Sequence, residues 1–230
     1  MRTTLKLRSQ RLLAASAIAC AALTAGCASS KSAPNTVFDF GPPTAAASAA
    51  ASAAAAAAPG AIVVMDATGP TALDTERMFY RLNYADAQQA RTYAGARWSG
   101  TPLDLATARI KARLAQSGMK VLSATDAANG IPILRIEIDD FVHAFGSVNQ
   151  SEGQIMLRAS VFNDHRLVDQ RSFARVAPAA SNDAAGGARA LAASTDQVAA
   201  DIQAWLATLD LRSTPANATT PAALANPLRR

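Results

Sequence analysis

The chain has 230 residues, with 22 lysines and arginines against 17 aspartates and glutamates, a formal net charge of +5. Alanine supplies 57 residues and aromatic residues only 5%, so much of the 50% apolar fraction is methyl groups that bury little area each. The length suits one domain with tails, or at most two small domains. Charged residues, at 17%, are too few for a nucleic-acid-binding arm, and two cysteines exclude a disulfide-stapled framework.

Residues 1–26 have the organisation of a secretory signal peptide. Met1–Arg11 carries four basic residues and no acid, and an apolar stretch follows from Leu12 to Leu23, shorter than the roughly 20 apolar residues of a membrane span. The ending Leu-Thr-Ala-Gly-Cys resembles the lipobox of bacterial lipoproteins, in which the signal peptidase cuts between Gly26 and Cys27. The resemblance implies a diacylglycerol on the Cys27 thiol and an acyl chain, such as palmitate, on its new amino group.

Two alternatives to this lipid attachment stay open. Cys20 could be the acylated cysteine, although its apolar stretch would then be very short, and an ordinary secretory cut would leave Cys27 as a free thiol. Two or more acyl chains anchor a protein stably. Ala28, rather than Asp, follows Cys27; by the sorting rule of enterobacterial lipoproteins, this favours the outer membrane, facing the periplasm.

Removal of residues 1–26 changes the charge of the protein. Four of the 22 basic residues leave with the signal, so 18 basic residues remain against 17 acidic ones, a net charge of +1. Residues 27–35 then form a short lipidated tether, and residues 36–210 are predicted to form one domain. We therefore expect membrane attachment through covalent lipid rather than through charge.

The domain opens with a predicted strand at Thr36–Gly41, which stops at Gly-Pro-Pro. Residues 44–60 are almost pure alanine and predict a low-complexity insert in a surface loop. Apolar and polar residues then alternate in the pattern of strands. These further predicted strands cover residues 61–65, 78–84, 91–94, 134–138, 155–161 and 167–176.

Two amphipathic helices are predicted between and after these strands. Thr101, Pro102 and Asp104 form a helix start, and that helix ends at Gly118. The second helix covers about residues 184–209, and 211–230 is predicted to be a disordered tail. Because the long strands each have one polar face, we predict an α+β fold, a mostly antiparallel or mixed sheet with both helices on one face.

The sequence contains few candidates for catalysis. His143 and His165 lack metal-ligand spacing, and we expect both to be exposed or half-buried and without a chemical role. Glu137, Asp139 and Asp140 share a strand, and alternation directs Glu137 and Asp139 to a solvated face, which we favour over an acid–base pair. No phosphate-binding loop or Gly-x-Ser-x-Gly elbow is present in the sequence. We therefore predict no cofactor, no metal and no enzymatic activity.

The order and spacing of these segments resemble the ABC-type transport auxiliary lipoproteins, the PqiC/YmbA-like family. The resemblance covers about Cys27 to Leu209 and is carried by the lipobox and a series of short segments. These segments are Phe38–Pro43, Tyr80-Arg81 with Tyr84, Tyr93, Trp98, Pro102, Leu134–Phe141, Phe173–Pro178 and Trp205-Leu206. The resemblance implies an accessory or docking subunit of an MCE-type lipid transporter. Its implied partners are an MCE-domain protein and an ABC permease and ATPase, and its implied ligand is phospholipid.

Four aromatic residues lie within a short stretch of a chain that is poor in aromatics. Tyr80, Tyr84, Tyr93 and Trp98 form a candidate contact surface for protein or acyl chains, although packing of these rings against a helix is the favoured interpretation.

Two other functions of the chain remain open. The chain could be a structural or adaptor lipoprotein of another envelope complex, or, with less support, a lipoprotein hydrolase.

Overall fold

The computed structural model describes residues 35–43, 60–126 and 130–211. Eight strands and two α-helices make up this part of the chain, which confirms the predicted α+β class. The strands, numbered β1 to β8 in chain order, are Thr36–Phe38, Ala61–Val64, Arg77–Leu82, Ala90–Trp98, Lys120–Leu122, Ile133–Ser147, Gln150–Asn163 and Arg166–Pro178. The helices are α1, Pro102–Gln116, and α2, Ala184–Leu206.

The strands form one mixed sheet around β6. One edge of β6 pairs along its length with β7, and β7 pairs with β8, both in antiparallel fashion. The other edge of β6 is divided between two parallel partners. Its first half pairs with β2, which continues to β5, and its second half pairs with β3, which continues to β4 and β1.

In the β6–β7–β8 meander, apolar and polar residues alternate along the first half of β6 and along β7. Leu134, Ile136 and Ile138 are buried, whereas Arg135 and Glu137 between them are exposed. The two strands predicted at residues 155–161 and 167–176 are joined by a tight turn, in which Asp164 and His165 both take positive φ angles, 47° and 66°. His165 is exposed, as expected.

Both helices pack on the same face of the sheet, as predicted. Thr101 caps α1, and its hydroxyl oxygen accepts the Asp104 N–H at 3.1 Å. Helix α1 ends before Gly118, whose φ of +88° favours glycine. The core between the helices and the sheet is built from apolar side chains of both layers, with Ile110, Leu114, Leu191, Val198, Ile202 and Trp205 facing Leu134, Ile136, Ile138, Ile155, Leu157 and Val161.

Several boundaries differ from the predicted ones. Strand β6 extends to Ser147, well beyond the predicted end, because its second half is buried on both faces and loses the alternation. Strand β5 has three residues and was not predicted. Leu211, the first residue of the predicted tail, is buried against the core.

Candidate functional site

Cys27, Gly26 and the alternative Cys20 lie outside the described residues. Most of the alanine-rich insert, residues 44–60, and of the predicted tail also lies outside them. Lipid attachment at Cys27 and cleavage after Gly26 therefore stay predictions. Within the described chain, neither α1 nor α2 combines the length and the apolar character that crossing a membrane requires.

Trp98, at the end of β4, belongs to the core. Its side chain is 1% exposed. The ring packs edge-on against Phe40, with centroids 5.6 Å apart, and lies 5.9 Å from Phe141. The structure thus places Trp98 in internal packing rather than on a contact surface.

The three tyrosines of the candidate surface are divided between two environments. Tyr80 on β3 and Tyr93 on β4 are half-buried, and their ring centroids lie 4.7 Å apart. Tyr84 lies in the turn after β3 and is 48% exposed. The structure therefore brings Tyr80 and Tyr93 together and leaves Tyr84 facing solvent.

His143 was expected to be exposed or half-buried, and this prediction is wrong. The side chain is fully buried in the second half of β6, where α2 covers the sheet. Its Nδ1 lies 2.7 Å from the Tyr93 hydroxyl, and its ring centroid lies 4.5 Å from that of Phe145. Its Nε2 has no hydrogen-bond partner among the described residues. Burial lowers the pKa of His143 to about 4, against a smaller opposing effect of Asp183.

Two glycines allow α2 to approach His143 closely. A Cβ atom at Gly187, in the first turn of α2, would overlap the His143 ring. A Cβ atom at Gly153, opposite His143 on β7, would overlap the α2 backbone at Ala190. Gly187 therefore serves helix-to-sheet packing, whereas Gly186 lies against the Ser181 backbone before α2. The recognisable signal of this arrangement in the sequence is two glycines at the start of a helix.

Two of the three acidic residues of β6, Glu137 and Asp140, pair with arginines on the sheet face away from the helices. Asp140 accepts two hydrogen bonds from Arg81, at 2.9 and 3.1 Å. Glu137 accepts one from Arg158 at 2.5 Å, and Glu137 and Asp139 are both exposed, as the alternation predicted. In the described ranges, no group of three histidine, cysteine, aspartate or glutamate side chains is arranged to hold a metal ion.

Arg109 is a buried cation that the sequence pattern did not reveal. It lies on α1 beside the apolar stripe and donates from Nη2 to the Phe40 carbonyl oxygen. Its Nε lies 3.2 Å from an oxygen of Asp196 on α2, and Arg113 donates to both oxygens of that carboxylate, at 2.7 and 2.5 Å. Burial lowers the pKa of Arg109, whereas Asp196 raises it. These contacts join β1, α1 and α2.

Comparison with known proteins gives a family and a fold. The family model of the ABC-type transport auxiliary lipoprotein component matches residues 43–203. A crystal structure of a protein from Xanthomonas campestris is similar over 75% of this chain and 92% of its own, at 21% identity and a TM-score of 0.57. A second solved structure, of an uncharacterized protein, is similar over 75% of this chain and 99% of its own, at 12% identity and a TM-score of 0.55. No curated protein matches the sequence.

Proposed function

This chain belongs to the ABC-type transport auxiliary lipoprotein family, and from that premise we propose that it is the outer-membrane docking subunit of an ABC/MCE-type lipid transporter. The observation that carries the proposal is the family match over residues 43–203, which runs from the end of the β1 segment through most of α2. The family is a transport auxiliary family and not an enzyme family.

The proposed attachment to the membrane is through lipid on Cys27. The basic segment, the apolar segment and the Leu-Thr-Ala-Gly-Cys ending support it. Acyl chains contribute about 0.8 kcal/mol for each buried CH₂ group, so two or three chains hold a domain at a bilayer without a spanning helix. The domain then faces the periplasm on a tether of residues 27–35.

The anchor is tested by changing Cys27 to alanine and separating membrane from soluble fractions. We expect the unchanged chain in the outer-membrane fraction and Cys27→Ala in the soluble periplasmic fraction. Cys20→Ala is the matched control and should fractionate like the unchanged chain. Membrane fractionation of Cys27→Ala equal to that of the unchanged chain would sink the anchor proposal.

The proposed partners are an MCE-domain protein and the ABC permease and ATPase, which together move phospholipid. Of the four aromatic residues of the candidate surface, Tyr84 is the most exposed, at 48%. We place the contact at this turn, because exposed tyrosines bury large area at low entropic cost. Leu167, which is 55% exposed at the start of β8, lies at the other end of the sheet and provides a control position.

Affinity purification of the chain from its own cells, followed by mass spectrometry, tests the partners. We expect co-purification of an MCE-domain protein, several-fold reduced recovery with Tyr84→Ala and unchanged recovery with Leu167→Ala. Recovery of a different envelope complex would favour the alternative function, a structural or adaptor lipoprotein. If neither variant reduces the recovery of the MCE-domain protein, Tyr84 does not belong to the interface.

A further inference from the structure

A cleft lies between the end of β1 and one side of α2, with a volume of about 430 Å³. We call it the Arg109 cleft. The β1 segment contributes Phe38 and Phe40, α1 contributes Arg109, and α2 contributes Ala185, Arg189 and Ala193. The volume is at the lower end of the range of small-molecule pockets, which is about 300–1,000 Å³.

Arg109 gives the cleft a buried cation with unused hydrogen-bonding capacity. The residue is 6% exposed. Its Nη2 donates to the Phe40 carbonyl and its Nε lies 3.2 Å from the Asp196 carboxylate, but Nη1 has no hydrogen-bond acceptor among the described residues. Because most buried polar groups in proteins are hydrogen-bonded, an unpaired Nη1 on a buried guanidinium indicates room for a further acceptor.

The charges around the cleft favour an anion as that acceptor. Asp196 is shared between Arg109 and Arg113, so its one negative charge faces two positive ones. Arg189 stands exposed at the rim, and the carboxylate of Asp39 is occupied by the Gly41 N–H at 2.7 Å. The lining holds two arginines and two aspartates, and both of its carboxylates are already engaged by donors of the protein. A planar guanidinium recognises carboxylate and phosphate through paired N–H donors.

The remainder of the cleft is apolar. Methyl groups of Ala185 and Ala193 form one wall, and the rings of Phe38 and Phe40 lie on the other side. The Phe40 ring lies 5.8 Å from the Arg109 Cζ atom, so the same ring borders both the cation and the apolar wall. A ligand with an anionic end and an apolar end matches this division.

We propose that the Arg109 cleft binds an oxyanion, carboxylate or phosphate, attached to a short apolar chain. The oxyanion accepts hydrogen bonds from Arg109, and the chain lies between the α2 alanines and Phe38. Since Nη1 is shielded from solvent, the ligand reaches it when the segment after β1 moves at Phe40, which exchanges the Nη2 bond to the Phe40 carbonyl for bonds to the oxyanion. The proposal is independent of the anchor and of the transporter partners, so it can fail while they stand.

Isothermal titration calorimetry on the full chain tests the proposal with hexyl phosphate, hexanoate and inorganic phosphate, and with hexyltrimethylammonium as the cationic control. If the chain is acylated and held in detergent, the detergent-only titration is subtracted. We expect saturable one-to-one binding of the two amphiphilic anions, at least tenfold tighter than inorganic phosphate, and no binding of the cation. Tryptophan fluorescence should change with the same saturation, because Trp98 contacts Phe40.

Two variants and one control locate the binding. Arg109→Gln removes the cation, and Ala193→Glu places a carboxylate on the half-buried wall while leaving Arg109 in place. Each should weaken hexyl phosphate at least tenfold. Arg175→Gln removes an arginine paired with Asp201 outside the cleft and should bind normally. If Arg109→Gln does not fold, the affinity of Ala193→Glu for hexyl phosphate, compared with that of Arg175→Gln, tests the proposal.

Three results would overturn the proposal. The first is no saturable binding of either amphiphilic anion. The second is equal loss of binding with Arg175→Gln, or undiminished binding with Ala193→Glu. The third is inorganic phosphate binding as tightly as hexyl phosphate, which would leave a plain anion site and remove the apolar part. Release of hexyl phosphate by vesicles containing anionic phospholipid, but not by inorganic phosphate, would identify a lipid headgroup as the source of the oxyanion.

Discussion

Two aromatic clusters lie side by side on the helix-facing side of the sheet, and they are built differently. The dry cluster consists of Phe40, Trp98 and Phe141, whose ring centroids lie 5.6 to 5.9 Å apart. The polar cluster consists of Tyr80, Tyr93, His143 and Phe145, with ring contacts of 4.5 to 6.1 Å. Both use β4 and β6, so the difference lies in the side chains and in the helix above them.

The difference shows how each cluster contributes to stability. The dry cluster gains mainly from buried area, since the contacts among its three side chains are ring to ring. The polar cluster buries a histidine whose Nε2 has no partner among the described residues and whose other nitrogen depends on a single tyrosine hydroxyl. A buried polar group without a hydrogen bond costs free energy. We therefore expect the dry cluster to stabilise the fold, and the polar cluster to make the free energy of unfolding depend on pH.

The largest expected effect is truncation of the dry cluster. Trp98→Ala should lower the free energy of unfolding by about 3–5 kcal/mol, because it removes a fully buried ring and leaves a cavity. Urea denaturation followed by circular dichroism measures the change. Tyr84→Ala, at an exposed position, should stay within about 0.5 kcal/mol and serves as control. A Trp98→Ala loss below that of Tyr84→Ala would contradict the description of the dry cluster.

The next largest effect is coupling between Gly187 and His143. Gly187→Ala should cost about 1–3 kcal/mol, because the added methyl overlaps the imidazole ring. In a His143→Ala background the same change should be neutral or stabilising by up to about 1 kcal/mol, since alanine is the better helix former. A double-mutant cycle measured by urea denaturation should give a coupling of about 1–4 kcal/mol, the difference between these two effects. Additive effects would show that the helix is not held against the ring.

A third expectation concerns pH. The pKa of His143 falls from 6.5 to about 4 on folding, so the unfolded chain takes up the proton first as the pH drops. The stabilisation is present above pH 6.5 and is lost between pH 6.5 and 4, which amounts to about 2 kcal/mol between pH 7 and pH 5. The charged or titratable groups that act on the imidazole are the Tyr93 hydroxyl and Asp183 before α2.

The matched variant for this measurement is His143→Gln, which cannot titrate in that range. Other groups contribute equally to both proteins, so the difference between their stability–pH curves isolates the histidine. The unchanged chain should lose about 2 kcal/mol more than His143→Gln from pH 7 to pH 5. Parallel curves would show that His143 accepts a proton as readily in the folded protein as in the unfolded chain.

The smallest expected effect comes from the tyrosine hydroxyls. Tyr93→Phe should cost about 1–2 kcal/mol, because it leaves Nδ1 of His143 buried without its partner. Tyr80→Phe removes a hydroxyl from the neighbouring ring and should cost less than about 0.5 kcal/mol. Thermal or urea unfolding of the pair compares them directly. Equal costs would mean that the bond to His143 adds nothing to the stability of the polar cluster.

The first half of β6 and the β7–β8 hairpin could be predicted because each has one solvent-exposed face, which gives an alternation of apolar and polar residues in the sequence. The second half of β6 could not, since Phe141, Val142 and His143 are all buried and the alternation disappears after an irregularity in the pairing between Ile138 and Asp140. Burial of His143 depends on glycines 153 and 187, which lie on other elements. Parallel pairings such as β2 with β6 leave no local signal, because their partners lie about 70 residues apart in the chain.

Arg109 illustrates the same limit at the level of a site. Its position precedes Ile110 in the predicted amphipathic helix, at the border of the apolar face, where an arginine is compatible with either solvent or an ion pair. Only the approach of α2, with Asp196, and of β1, with the Phe40 carbonyl, buries the guanidinium. The family resemblance of the sequence, by contrast, is carried by short segments in a fixed order and is confirmed by the family match.

The divided edge of β6 also has a consequence for how the chain acquires its structure during synthesis. The ribosome releases the N-terminal strands first, and β2 and β3 both need a strand that begins only at Ile133. The β3–β4 hairpin can form early, but β3 has no strand to pair with on its other edge until β6 has been synthesised. Since such non-local pairing slows folding, we expect the sheet to form only after β6 has been synthesised.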